Sequence, residues 1–345
     1  MNQAPSCVAI NAASPILPSG RYRSEEDRLI PYWPLSGVNL AIQCTQLSIQ
    51  IEAICTDYAP WIAVFADDSL VARFPVQSGR HWYPVLQGMD AAVPHRISIV
   101  NDTQPIDGND MQLAFCAIQT DGELLPPPQP AYHFEFVGDS LTTGEGCIGP
   151  VSANEWKTIW MCPSQGYAHF LCKEMNAQAS LISQSGWGVF SDWANNPANN
   201  LPRIYDQLCG VHKDGQIPYH FRQKMDAVII NLGTNDISAL KSLPEEQRAD
   251  RAEQLKQAVA SFLRQIRRHN PHAYLLWAYG MCGQEWIHCF TEGVERAKAD
   301  GDSRIGFCAL PSCTKEETGS RMHPGPENHK RAARAIVDHL KTVLK

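Results

Sequence analysis

The sequence predicts two domains: an all-β sandwich over residues 1–128, then a three-layer α/β/α domain built on a five-stranded parallel sheet over residues 129–345. Two observations carry this expectation. Residues 124–130 read LLPPPQP, four prolines in seven positions, which makes a stiff extended connector. The hydrophobic period differs on its two sides, and 345 residues suffice for two separate cores.

Before the connector the chain reads as short strands. Leu47, Ile49, Ile51 and Ala53 alternate with Ser48, Gln50 and Glu52, the period of a half-buried strand. Residues 61–66 and 70–76 flank Asp67-Asp68-Ser69 as a hairpin. Residues 95–100 and 112–118 add two strands closed by Asn101-Asp102 and Asp121-Gly122. No long amphipathic helix interrupts them, so a β-sandwich follows.

After the connector, apolar strand-like runs fall at 134–137, 179–182, 227–232, 273–278 and 305–309, mostly separated by helical stretches. The clearest helix spans 246–269, with Leu255, Val259, Phe262 and Ile266 on one face. The last begins near Pro326 and turns Ala333, Ile336, Val337 and Leu340 inward. Strands alternating with helices imply a parallel sheet covered on both faces.

The charge balance, 36 acidic against 29 basic residues for a net of −7, argues against a nucleic-acid binder. The basic run at 264–268 closes a helix, where it complements the dipole. No apolar run approaches the roughly 18 residues that span a bilayer, so no membrane partner is expected. The first ten residues carry no basic segment, and Pro15 and Pro18 break the apolar stretch that follows. The expectation is a cytoplasmic protein as written, or a secreted one whose leader has been removed. The 12 cysteines form no CxxC pair and no zinc spacing, so reduced thiols and no metal or organic cofactor are expected. The oligomeric state is left open.

In an open parallel sheet, ligands bind beyond the carboxyl ends of the strands. There the chain places Gly138-Asp139-Ser140-Leu141-Thr142, then Ser185-Gly186-Trp187-Gly188, Gly233-Thr234-Asn235-Asp236, Gly280-Met281-Cys282-Gly283 and Met322-His323-Pro324. These parts suit acyl transfer. A serine hydroxyl needs an adjacent base, and histidine titrates near neutrality. The oxyanion needs preorganised donors. Ser140 is the candidate nucleophile and His323 the candidate base. The backbone N–H groups of Ser140 and Gly186 and the amide of Asn235 are the candidate oxyanion donors. Asp139 and Asp236 are read as local structural caps, and His329 as a solvated helix residue. Trp160, Trp187 and Trp286 are the candidate substrate contacts. Trp187 leads because it lies between two glycines.

FVGDSLT, SGWG, LGTND and HPG, in that order, resemble blocks one, two, three and five of the SGNH (GDSL) hydrolases. The resemblance covers about 215 residues. It implies that Ser140 is the nucleophile, that Gly186 and Asn235 line the oxyanion hole, and that His323 is the base. The stretch 276–281, LWAYGM, followed by Gly283, is similar to carbohydrate esterase family 2. That resemblance implies a jelly-roll type of sandwich and the removal of acetyl groups from sugars or polysaccharides. The aspartate that the superfamily usually carries two or three residues before its histidine is replaced here by Arg321 and Ser320. Glu316, Glu317 or a backbone oxygen remain to orient the imidazole, as a Ser–His pair with a backbone carbonyl does in some members of the esterase family. Two other functions stay open: a carbohydrate-binding protein with a weak or inactive hydrolase domain, and a lipase-like acylhydrolase.

Overall fold

The computed structural model describes residues 6–10 and 15–344. Residues 1–5, on which the expectation of no leader partly rests, lie outside them. Two six-stranded antiparallel sheets form the first half. One runs Tyr22–Ser24, Leu29–Pro31, Gln112–Thr120, Gln46–Ile54, Gly79–Gln87, with Ser6–Ala9 also on Gln112–Thr120. The other runs Glu123–Leu125, Gly37–Gln43, His95–Asn101, Trp61–Ala66, Ser69–Pro75, with Leu17–Ser19 on Gly37–Gln43. The alternation along Gln46–Ile54 turns Leu47, Ile49 and Ile51 fully inward, where they meet Val38, Leu40, Ile97 and Phe115. Leu124 and Leu125, read from sequence as connector, close the edge of the second sheet by pairing with Ile42 and Ala41.

The second half is a five-stranded parallel sheet in the order Ala177–Ser183, Tyr132–Gly138, Ala227–Asn231, Tyr274–Tyr279, Ile305–Ala309. All five strands expected from the sequence are present. Helices Glu245–His269 and Ile287–Lys298 pack together on one face, and Tyr167–Met175 with Pro326–Val343 on the other. The arrangement is the α/β/α sandwich, with its central strands almost wholly buried. Among the described residues no helix is long and apolar enough to cross a membrane.

The two halves share core. Tyr32 and Trp33 join the cluster under the helix Glu245–His269, and Leu35, Phe65 and Val100 join the one under Pro326–Val343. Trp33 Nε1 donates to the Leu208 carbonyl at 2.8 Å. Arg21, fully buried, donates to the carbonyls of Tyr205 and Gln207 at 2.6 and 2.7 Å and pairs with Glu135 at 3.2 Å. Tyr205 Oη donates to the other Glu135 oxygen at 2.5 Å. A charge in the middle of the sheet is tolerated because these partners satisfy it.

Candidate active site

The strand Tyr132–Gly138 ends in a sharp turn. Asp139 caps the short helix Ser140–Thr143 by accepting from Leu141 N at 3.0 Å, and Ser140 stands at its first position. The chain then reverses through Gly144, Glu145 and Gly146. Gly146 has φ +68, and a Cβ there would lie 2.3 Å from the Ser320 carbonyl and 2.9 Å from His323 Cβ. Glycine is required for this approach. Its carbonyl accepts from Ser320 N at 2.9 Å, so the turn after the serine and the segment before the histidine are stitched together.

That stitching brings His323 Nε2 to 2.9 Å from Ser140 Oγ. The other ring nitrogen, Nδ1, lies 2.9 Å from the backbone carbonyl oxygen of Arg321. A carbonyl only accepts, so Nδ1 carries the proton and Nε2 presents its lone pair to the serine hydroxyl. The carbonyl points inward because Arg321 and Met322 both adopt the left-handed region, with φ 55 and 58. For residues with a Cβ this costs about 1–2 kcal/mol each. Of the orienting groups left open by the sequence, the backbone oxygen is the one in place. Glu317 binds Thr314 N and Arg331 instead, and Glu316 is exposed.

Of the expected oxyanion donors, Asn235 is tied to the residue before Ser140, and Gly186 lies on the loop after the neighbouring strand Ala177–Ser183. Gly186 has φ +81, and among the described residues its N–H meets no acceptor. Asn235 is the second residue of the helix Thr234–Ser242; its Nδ2 donates to the Trp187 carbonyl at 2.9 Å and to Asp139 Oδ2 at 3.2 Å. Burial pushes the Asp139 carboxyl up to about 7, against the opposing N–H of Leu141. Asp236 is more than a local cap. Its carboxylate accepts from Val189, Phe190 and Ser191 N at 2.9, 2.8 and 3.2 Å and so pins the loop after Gly186.

The tryptophans fall out differently from their order in the sequence reading. Trp187 lines the cleft only at its margin, since its ring is 8% exposed and packs in the core. Trp286 packs half-buried against that same core, and Trp160 sits half-buried against Gly149. The exposed ring is Trp193, 63% accessible, whose N–H donates to the Gly186 carbonyl at 3.0 Å. His329, expected to be solvated, is fully buried and stacks on Tyr167, and burial pushes its pKa down to about 4.

Three residues that no motif signalled contact these segments. Gln104, from the sandwich, accepts through Oε1 from Ser185 N, Ser185 Oγ and Thr143 Oγ1 at 3.0, 2.9 and 3.0 Å. Glu145 binds Arg321 Nε at 2.8 Å. Trp193 shares a cleft of about 260 Å³ with Gly186 and Trp156 from the α/β half and with Gln104, Ile106 and Asp107 from the sandwich. A larger cavity of about 750 Å³ opens beside His133 and Gln178, at the amino ends of the strands and remote from Ser140. Among the described residues no cluster of side chains is suited to hold a metal ion.

A serine and a histidine joined by a hydrogen bond at the carboxyl edge of a parallel sheet, beside free and amide N–H groups, define an SGNH-type ester hydrolase. The chain belongs to the GDSL-like lipase/acylhydrolase family, whose model matches residues 136–336. Over the whole chain it is similar to the acetyl xylan esterase Est2A from the rumen bacterium Butyrivibrio proteoclasticus, with 30% identity, a TM-score of 0.95 and 99% of both chains covered. A family two carbohydrate esterase from Clostridium thermocellum, solved with cellohexaose, superposes with a TM-score of 0.83 at 22% identity, over 95% of this chain and 99% of that one. In sequence, an acetylxylan esterase / glucomannan deacetylase from Cellvibrio japonicus is 25% identical over 89% of this chain and 83% of its own. Cellulase/esterase CelE from Acetivibrio thermocellus is 24% identical over 90% of this chain, which spans 37% of CelE's length. The jelly-roll-plus-α/β architecture expected from the resemblance is therefore the one observed.

Proposed function

We propose that this protein is a serine esterase that removes acetyl groups from a carbohydrate, with Ser140 as nucleophile and His323 as general base. The observation that carries the proposal is the 2.9 Å contact between Ser140 Oγ and His323 Nε2. The names of the relatives support the acetyl group and the polysaccharide.

In the reaction, Ser140 Oγ attacks the acetyl carbonyl carbon while its proton passes to His323 Nε2. The carbonyl electron pair moves onto oxygen, facing the N–H groups of Ser140 and Gly186 and the Asn235 amide. The tetrahedral intermediate collapses, the bond to the sugar oxygen breaks, and Nε2 returns its proton to that oxygen. Water then repeats the sequence on the acetyl-serine and releases acetate. Throughout, Nδ1–H stays on the Arg321 carbonyl, which plays the orienting part of a triad carboxylate without its charge. The exposed Trp193 ring offers a stacking face to the sugar.

Hydrolysis of 4-nitrophenyl acetate and of acetylated xylo-oligosaccharide by the wild type and Ser140→Ala tests the reading. The wild type is expected to release acetate from both and Ser140→Ala from neither. Equal rates in the two proteins overturn it. Tight oligosaccharide binding without any turnover would make the protein a carbohydrate binder instead.

A further inference from the structure

Glu145 is a buried carboxylate beside the imidazole. Its side chain is 5% exposed, in the turn directly after the nucleophile's helix. Oε1 lies 2.8 Å from Arg321 Nε and 4.0 Å from His323 Nε2. Oε2 accepts from Trp156 Nε1 at 3.3 Å. The Arg321 side chain it holds belongs to the same residue whose carbonyl orients His323 Nδ1, and that side chain is anchored again through Nη1 on the Asn154 carbonyl at 2.9 Å.

We infer that Glu145 is the positioning residue that compensates for the missing triad carboxylate. By gripping the Arg321 side chain it fixes the left-handed backbone that aims the carbonyl at Nδ1. With its own charge it favours the imidazolium formed when Nε2 takes the serine proton. A triad acid does both tasks from the Nδ1 side. Here the two tasks are split: the carbonyl acts at Nδ1, and the carboxylate faces the ring from the Nε2 side. The inference rests on the Ser140–His323 reading above.

The other titratable groups around the imidazole do not supply this charge. His329, from the helix Pro326–Val343, is kept neutral by its burial. Asp139, at the cap of the nucleophile's helix, is pushed up towards neutrality by its burial. Arg321 carries the opposite sign, so Glu145 and Arg321 act on His323 in opposite directions.

Two variants therefore move one observable in opposite senses. Glu145→Gln removes the negative charge and leaves Arg321 unpaired, which disfavours the imidazolium. The acid limb of kcat/KM for 4-nitrophenyl acetate is expected about one unit lower in pH, with kcat/KM at the plateau reduced about tenfold or more. Arg321→Gln leaves Glu145 unneutralised beside the ring and frees the backbone. Its limb is expected higher in pH, with kcat reduced and KM little changed. A purely structural role for the pair predicts losses of activity with unmoved limbs. If Glu145→Gln does not fold, Arg321→Gln, at a side chain 32% exposed, carries the test.

The same shift is read without turnover by NMR titration of the His323 Cε1–H resonance, assigned with His323→Gln. Opposite displacements in the two variants support the inference. Coincidence of both with the wild type overturns it. Active wild type with unmoved titrations sinks this inference alone; inactive wild type with displaced titrations sinks the esterase reading alone.

Discussion

The Nδ1 of His323 is held at 2.9 Å by the carbonyl oxygen of Arg321, a residue only two positions earlier in the chain. The orienting acceptor belongs to the backbone, so no side-chain replacement at 321 deletes it. His323→Gln, by contrast, removes the base itself. Its kcat on acetate esters is expected to fall on the order of 10³–10⁶, as when a single triad member is removed. Steady-state kinetics on 4-nitrophenyl acetate measure this.

Asn235 holds its amide on Trp187 and Asp139 in the free protein. An oxyanion competes for one of these N–H groups only once it has formed, which favours the intermediate over the ground state. Asn235→Ala should lower kcat by roughly 10²–10³. A change confined to KM would exclude Asn235 from the oxyanion hole.

Trp193 offers an exposed ring to the cleft, packs an edge of that ring against Gly186 and donates its backbone N–H to the Gly186 carbonyl. Trp193→Ala should raise KM for an acetylated oligosaccharide about two- to tenfold, since one stacked ring is worth on the order of 0.5–1.5 kcal/mol. KM for 4-nitrophenyl acetate, a substrate without a sugar chain, should change less. Equal effects on the two substrates would point to a distorted loop rather than a lost platform.

Gln104 is 1% exposed and satisfies two hydroxyls and the Ser185 N–H through one oxygen. Gln104→Ala leaves the Ser185 N–H and hydroxyl unpaired beside the Gly186 loop, while Thr143 Oγ1 keeps Ser183 Oγ at 2.9 Å. A loss of about 1–3 kcal/mol in denaturant unfolding is expected, the cost of unsatisfied buried polar groups, together with reduced kcat. Unchanged kinetics in a destabilised protein would confine Gln104 to a structural part.

Asp139 gives a pH signature. Its carboxyl is raised by burial to about 7 in the folded protein, against 3.8 for the reference group. Between these values the native state binds more protons than the unfolded one, so stability falls as pH rises through that window. Asp139→Asn has no such proton to lose. The wild type should therefore become less stable relative to this variant between about pH 4 and pH 7. Urea melts at several pH values test this; parallel stability curves would contradict it.

The strands of the parallel sheet were legible because both faces are covered, so their sequences are nearly unbroken apolar runs, as in Ala227–Asn231. The helix Glu245–His269 lies within one residue of its expected start, because an amphipathic stripe over 25 residues leaves little ambiguity. Ser140 and His323 were legible because each sits in a short signature beyond the carboxyl ends of the strands; their contact depends on the segment after Ile305–Ala309, which returns past two strands to bind Gly146. Glu145, Gln104 and Trp193 were not. Glu145 and Gln104 act on residues far away in the chain and Trp193 acts through a loop that folds back on Gly186, and single-sequence periodicity carries no information about such pairings. His329 was misread for a related reason. A histidine in an amphipathic helix looks accessible, until tertiary packing covers it.

The buried pair of Arg21 and Glu135 bears on how this molecule can be cut or recombined. A fragment starting at residue 129 would keep a carboxylate on the strand Tyr132–Gly138 and lose the cation that neutralises it, and leaving such a charge buried and uncompensated costs about 3–5 kcal/mol. Anyone grafting the hydrolase half onto another scaffold has to carry the sandwich along, or first replace Glu135 with an apolar residue. The two halves are distinct in architecture, yet each is part of the other's solvent.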